Sequence, residues 1–462
     1  MKNSLNNGQQ GRHTDSRKSD GEVDDILCYM DQASFVGLRA LGRQPVIHFT
    51  WIYPQSLSET VVNQLNHRLA QGLLGRVLQR SPLPWGRHRW VARTVPAPVT
   101  WHTVPMAAEL LMERRTDLID LPVDPEHGPA WRIVVQSLKG GGCALSILVS
   151  HTIADAKAAS QAIADALAGR RLDPAFPPPS SRWTLKMMVR DMVQGVRELP
   201  AVWHALFALF RHARTAAVSS SSGSAPSYRI GYAKPEPIML VPIVQVVMDS
   251  ASCMQRAADL AISSTMLLAA LTVRIAFRIG RVDADGRVKL VVPVSDRQPV
   301  DRRGNALRSI TVMVDPMASL ANPCGLQNEI KTALAELPHQ VDDMVRMLPL
   351  IPYAPLKLAR RMALQTVGRD LPVGCSLVGD LPLELHHPLG EVSGFQLSAV
   401  ECFTESQLEG MGGMLLVAST RRGGQEFISV FGYAPNIAKN RAELAPFVQN
   451  ALTDLGLPAS VN

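Results

Sequence analysis

The run from Ala144 to Ser150, ALSILVS, is apolar and of strand length, and from Ala156 to Leu167 the apolar positions recur at helical intervals. Between them the chain is polar, with His151 and Asp155 at the junction. Side chains at such a junction reach outward while the backbone is held rigid on both sides, an arrangement that suits chemistry. Upstream, Pro45 to Tyr53 reads as a strand. Ser56 to Leu74 reads as a helix whose Leu57, Val61, Val62, Leu65 and Leu69 fall at helical intervals behind a Ser56 or Ser58 cap. Trp131 to Leu138 and Cys143 to Ser150 form a predicted hairpin across Lys139-Gly140-Gly141-Gly142.

The pattern changes at Trp183. From there to Ala216 the chain is almost unbroken helix, with Met187, Met188, Met192, Trp203, Phe207 and Phe210 on apolar positions and Arg182, Lys186, Arg190, Arg197, Arg211 and Arg214 on the rest. Two placements fit: a helix packed across the lobes, or a basic amphipathic helix lying on a membrane surface or an acyl chain. The tract AVSSSSGSAPS, Ala217 to Ser227, is a flexible linker. Beyond it, Met239 to Met248, Lys289 to Val294, Ile310 to Val314, Phe395 to Cys402, Met414 to Thr420 and Glu426 to Gly432 read as strands. Helices are predicted from about Ser250, over Ser263 to Ile279, from Leu326 to Met347 and over Ala438 to Leu455. Mixed α/β structure results, divided into a disordered tail (1–22), a first lobe (23–182), a crossover helix and linker (183–228) and a second lobe (229–462).

Composition narrows the function. At 462 residues the chain exceeds one ordinary core. Hydrophobic residues at 46% and charged ones at 19% describe a globular chain with large cores. The net charge of +7 comes from scattered arginines, with no basic tract interleaved with aromatics, so nucleic acid is not an expected partner. Six separated cysteines without a CxxC pair read as reduced. With no signal-peptide pattern and no long apolar run, a cytoplasmic protein is expected. Glu384, His386, His387 and Glu391 in LELHHPLGE are ligand types, but Pro388 and Gly390 interrupt them and no second cluster matches. They read as a polar loop, and no metal is expected.

SHTIADAKA resembles the HHxxxDG motif of the condensation-domain superfamily of thioester-dependent acyltransferases, which includes chloramphenicol acetyltransferase, peptide-synthetase condensation domains, polyketide-associated acyltransferases and wax ester synthases. A second HxxxD, His339 to Asp343, sits in a polar helical stretch with no strand before it. VKLVVPVSDRQPVDRRGNALRSITVMVDP, Val288 to Pro316, is similar to the VPVSxR strand, variable loop, GN and second strand of wax ester synthases. CSLVGDLP, Cys375 to Pro382, is similar to the SNLGxLP turn of many members.

The resemblance implies two chloramphenicol acetyltransferase-like lobes, mixed sheets with flanking helices, forming a V-shaped pseudo-dimer with a central tunnel. His151 is then the general base that takes a proton from an alcohol or amine as it attacks the thioester carbonyl. Asp155 pairs with an arginine, for which Arg297 is the candidate. Ser150, Ala156, Ser376 and Gly379 fall near the tunnel or the thioester. No tightly bound cofactor is implied, since acyl-CoA or acyl-phosphopantetheine is a co-substrate. The expected partners are that donor, a carrier protein, a hydroxyl or amine acceptor, and a membrane surface touched peripherally. Departures from the pattern are Ser150 for the first histidine, Ala156 for the motif glycine, Ser264-Thr265 for Asn-Asp and Leu377 for the turn asparagine. They leave a second reading, a non-catalytic docking or scaffolding member.

Overall fold

In the computed structural model, residues 25–41, 45–111, 123–170, 176–180, 183–219, 236–298, 301–337, 343–360 and 371–461 are described. The expected tail over 1–22, most of the linker tract and His339 lie outside them. The first sheet is built on the hairpin that the glycine run predicts. Strands β3 (Trp131–Leu138) and β4 (Cys143–Ser150) pair antiparallel, and Gly140 and Gly141 take the positive φ that the turn requires. All eight residues of β4 are buried. A strand covered on both faces has no polar side to present, hence a continuous apolar run in place of an alternation. β1 (Val46–Tyr53) flanks β4, and β2 (Thr100–Met106) runs parallel to β3 at the edge.

Two helices pack beside this sheet. α2 (Glu59–Ala70) buries Val62, Leu65 and Leu69, and α3 (Ala156–Leu167) buries Ala158, Ala159 and Ile163. Ser58 occupies the N-cap position of α2, but its side chain makes no capping hydrogen bond. Ahead of the sheet in the chain stands α1 (Tyr29–Leu41), and after it comes α4 (Leu185–Ser219).

The second sheet orders its strands β7-β6-β8-β10-β11-β5, with Ser460–Val461 added at the β5 edge. Its strands are β5 (Ile243–Asp249), β6 (Val288–Ser295), β7 (Leu307–Val314), β8 (Val373–Asp380), β10 (Met414–Arg422) and β11 (Gln425–Tyr433). Helix α6 (Ser264–Arg278) is apolar on most sides because it is buried on most sides, with Leu267, Leu271, Val273 and Ile275 fully enclosed. α5 (Ser250–Asp259), α7 (Pro323–Glu336) and α8 (Arg441–Asp454) belong to this lobe; of the helix expected from Leu326 to Met347, α7 ends at Glu336, Asp343–Met347 is helical again, and 338–342 lie outside the described residues.

One strand expected in the second lobe belongs to the first sheet. β9 (Gly394–Val400) pairs antiparallel with β1, Val46 opposite Val400 and Ile52 opposite Gly394, and closes the order β9-β1-β4-β3-β2. The segment before it, containing LELHHPLGE, carries the chain across. Leu381 and Leu385 are buried in the first lobe's core, Trp51 donates its indole N–H to the Leu385 carbonyl at 3.0 Å, and Tyr53 donates to the Pro388 carbonyl. Glu384 is tied to Arg170 at 2.7 Å. Among the described residues no three His, Cys, Asp or Glu side chains gather as a metal site.

Candidate active site

β4 ends at Ser150, which is fully buried; its hydroxyl accepts from the Thr152 N–H at 3.3 Å and its carbonyl from those of Ile153 and Ala154. Ser150 therefore shapes the turn and faces no open space. The turn lifts His151 to a half-buried position. Asp155 then caps α3: its Oδ1 accepts from the Ala158 N–H at 2.8 Å, satisfying a donor that the helix leaves unpaired.

The other oxygen of Asp155 faces the second lobe. Oδ2 accepts from Arg297 Nη2 at 2.7 Å and from the Ala306 N–H at 3.0 Å, while the Asp155 N–H donates to the Gly304 carbonyl at 2.8 Å. Arg297, just past β6, also donates to the carbonyls of Arg303 and Gly304. At Gly304 a Cβ would come within 2.9 Å of the Thr152 and Ile153 carbonyl oxygens, so only glycine lets the two backbones approach this closely.

Asn305 determines how the imidazole is held. Its Nδ2 lies within reach of three oxygens: Asp31 Oδ1 at 3.1 Å, the His151 carbonyl at 3.1 Å and the Thr152 carbonyl at 3.4 Å. None of these oxygens can donate while Asp31 is ionised, so the amide must turn its NH₂ group toward them. Its Oδ1 then faces His151 Nδ1 at 3.0 Å, which makes Nδ1 the protonated nitrogen. Nε2 keeps its lone pair.

Behind Asn305 stands a buried charged layer. Asp31, on α1, accepts from the Gly304 and Asn305 N–H groups at 2.9 and 2.7 Å. Burial raises its pKa, and the nearby Arg76 and these donors offset part of that rise. Arg76 is itself buried, donates to the carbonyls of Ile153 and Arg302, and lies 4.1 Å from the Trp90 ring centroid. Its pKa falls to about 10 through burial, so it remains a cation at neutral pH. Cys28 is pushed up to about 12 by burial and by Asp31, which leaves a thiol and no nucleophile.

Asp31, Arg76 and the role of Asn305 escape a linear reading. Asn305 stands in the GN pair of the loop motif, which was the available signal; Asp31 and Arg76 look like ordinary surface charges. Ala156 opens α3 and is half-buried. Ser376 and Gly379 stand on β8, where the register shifts between Leu377 and Gly379 and the Gly379 carbonyl accepts from Thr420. Among the described residues no hydrogen bond joins them to His151. One surface depression is lined by Gln64, Arg68, Gln71, Gly169 and Arg170, and another by residues that include Ser250, Asp380, His386 and Arg421; His151 lines neither.

No family model matches the chain, and no curated protein does. Solved structures do. The first condensation domain of the calcium-dependent antibiotic synthetase, in complex with a substrate analogue, is similar over 94% of this chain and 97% of its own, at 10% identity and a TM-score of 0.58. Polyketide synthase associated protein 5 from Mycobacterium tuberculosis is similar over 93% and 97%, at 14% identity and a TM-score of 0.54. The X-domain from teicoplanin biosynthesis, solved in complex with OxyB, is similar over 97% and 96%, at 14% identity and a TM-score of 0.50. This chain therefore has the two-lobed condensation-domain fold.

Proposed function

From the condensation-domain fold and the way His151 is held, we propose that this chain transfers an acyl group from a thioester of coenzyme A, or of a carrier protein's phosphopantetheine, to a hydroxyl or amine. The observation that carries the reading is the hydrogen bond from His151 Nδ1 to Asn305 Oδ1. It leaves Nε2 free to accept the acceptor's proton as the oxygen or nitrogen attacks the thioester carbonyl. The tetrahedral intermediate then collapses with cleavage of the carbon–sulfur bond, and the proton held on Nε2 goes to the departing sulfur. No covalent acyl-enzyme is needed, consistent with Cys28 being held as a thiol. Asp155 does not touch substrate in this scheme. It holds the turn against Arg297 and the 304–306 backbone, so that the imidazole is aimed.

A second reading, a docking or scaffolding module, is favoured by Ala156 in place of the motif glycine and by the similarity to an X-domain solved with a protein partner. Intact-mass analysis of candidate alcohols and amines incubated with a panel of acyl thioesters separates the two. Acyl transfer by the parental protein, reduced about 100-fold or more in His151→Ala, is the result expected of the enzyme. No transfer from any thioester is the result expected of the docking module.

A further inference from the structure

Helix α4 faces the wrong way for a core helix. Its only two acids, Asp191 and Glu198, point inward. Asp191 accepts from Ser81 at 2.6 Å and lies 3.4 Å from Arg89, while Glu198 pairs with Arg87 at 2.7 Å. Both arginines are buried, so these pairs fix the rotation of the helix about its axis. The opposite side carries a stripe at helical spacing: Leu185, Met192, Val196, Trp203, Phe207 and Phe210, each between 52% and 78% exposed. At about 1.5 Å per residue the stripe is roughly 38 Å long. Lys186, Arg197 and Arg211 stand about 100° round from it, all on one flank and all exposed.

We infer that the outward stripe of α4 docks this protein on an anionic bilayer surface, with the helix lying in the plane of the interface. Large apolar and aromatic side chains beside lysine and arginine suit the boundary between acyl chains and headgroups. Charge selects the occupant. A second copy of the helix would have to bring acids to Lys186 and Arg197, and both of its acids are already consumed inside; acidic lipid headgroups bring that opposite charge beside the stripe. Among the described residues no single helix is long and apolar enough to cross a membrane, which fits a helix that lies on the surface. The inference stands apart from acyl transfer, because binding is measured without any thioester.

The test is flotation of the full chain with phosphatidylcholine vesicles, with and without phosphatidylglycerol, at low and high salt. The parental protein floats with the phosphatidylglycerol vesicles at low salt and less at high salt. A Trp203→Ser/Phe207→Ser variant and a Lys186→Glu/Arg197→Glu variant each bind about tenfold more weakly or worse. All four positions are exposed, so parental melting temperatures certify that both variants are folded. A parental protein that stays with the bulk in every vesicle condition overturns the inference. So do stripe variants that float like the parent, and so does a parental dimer that the stripe variants convert to monomer without any lipid binding.

Discussion

At the seam around His151 charged side chains are buried, whereas on the outer side of α4 large apolar side chains are exposed. Asp31, Arg76 and Asp155 have left water, each costing free energy that only well-placed partners offset, and each has several. Trp203, Phe207 and Phe210 remain largely exposed among the described residues. Ordinary packing explains neither arrangement. The chain departs from the usual inside-out rule in two places, in opposite senses, and the two proposals rest on those places, one on how a side chain is aimed and one on how a surface is met.

The largest effect is expected at Asp155. Asp155→Ala removes the partner of Arg297, the acceptor for the Ala306 N–H and the cap of α3 together. Loss of one partner of a buried pair typically costs about 3–5 kcal/mol, and chemical denaturation should show a loss of that order. Asn305→Ala acts more narrowly. It frees the imidazole to adopt either tautomer, so turnover should fall about tenfold with KM little changed, a smaller loss than removal of the base itself.

The inner side of α4 is sharpened by pH. His88 is half-buried, beside Arg80, Arg39 and Arg87, with Asp191 of α4 acting against them, and its pKa is lowered from 6.5 to about 4, chiefly by desolvation. Between those values the unfolded chain binds a proton that the folded chain refuses. Stability is therefore fully present above pH 6.5 and lost as the pH falls toward 4. Denaturation midpoints across this window should show the fall in the parent and a shallower one in His88→Gln. The smallest effect belongs to the outer side. Trp203→Ser with Phe207→Ser should change stability by no more than about 0.5 kcal/mol, since neither ring packs against a core. A loss several times larger would mean that the stripe is covered within the fold.

How much of this was legible in sequence follows from the same contrast. The strand, turn and helix around His151 are local: a continuous apolar run, a polar junction and an alanine-rich helix behind an aspartate cap can be read residue by residue. The pairing of Asp155 with Arg297 came from the resemblance to a family and not from spacing, since 142 positions separate the two. Asp31 and Arg76 could not be recognised, because a charge written in sequence carries no sign of burial. β9 reads as a strand, but its pattern cannot say which sheet it joins; the burial of Leu385 and the bond from Trp51 decide that. For α4, periodicity revealed an apolar face and left its direction open. The ion pairs of Asp191 and Glu198 turned it outward.

The central claim is that His151 acts on substrate while Asp155 acts on structure, and one paired measurement addresses it most directly. Single-turnover acyl transfer and melting temperature are determined for the parent and for His151→Ala, using whichever thioester and acceptor the parent accepts. If His151 is the general base, the variant's transfer rate is about 100-fold lower or more with an unchanged melting temperature, because a half-buried imidazole contributes little packing. A His151→Ala protein that is folded and transfers at the parental rate would contradict it.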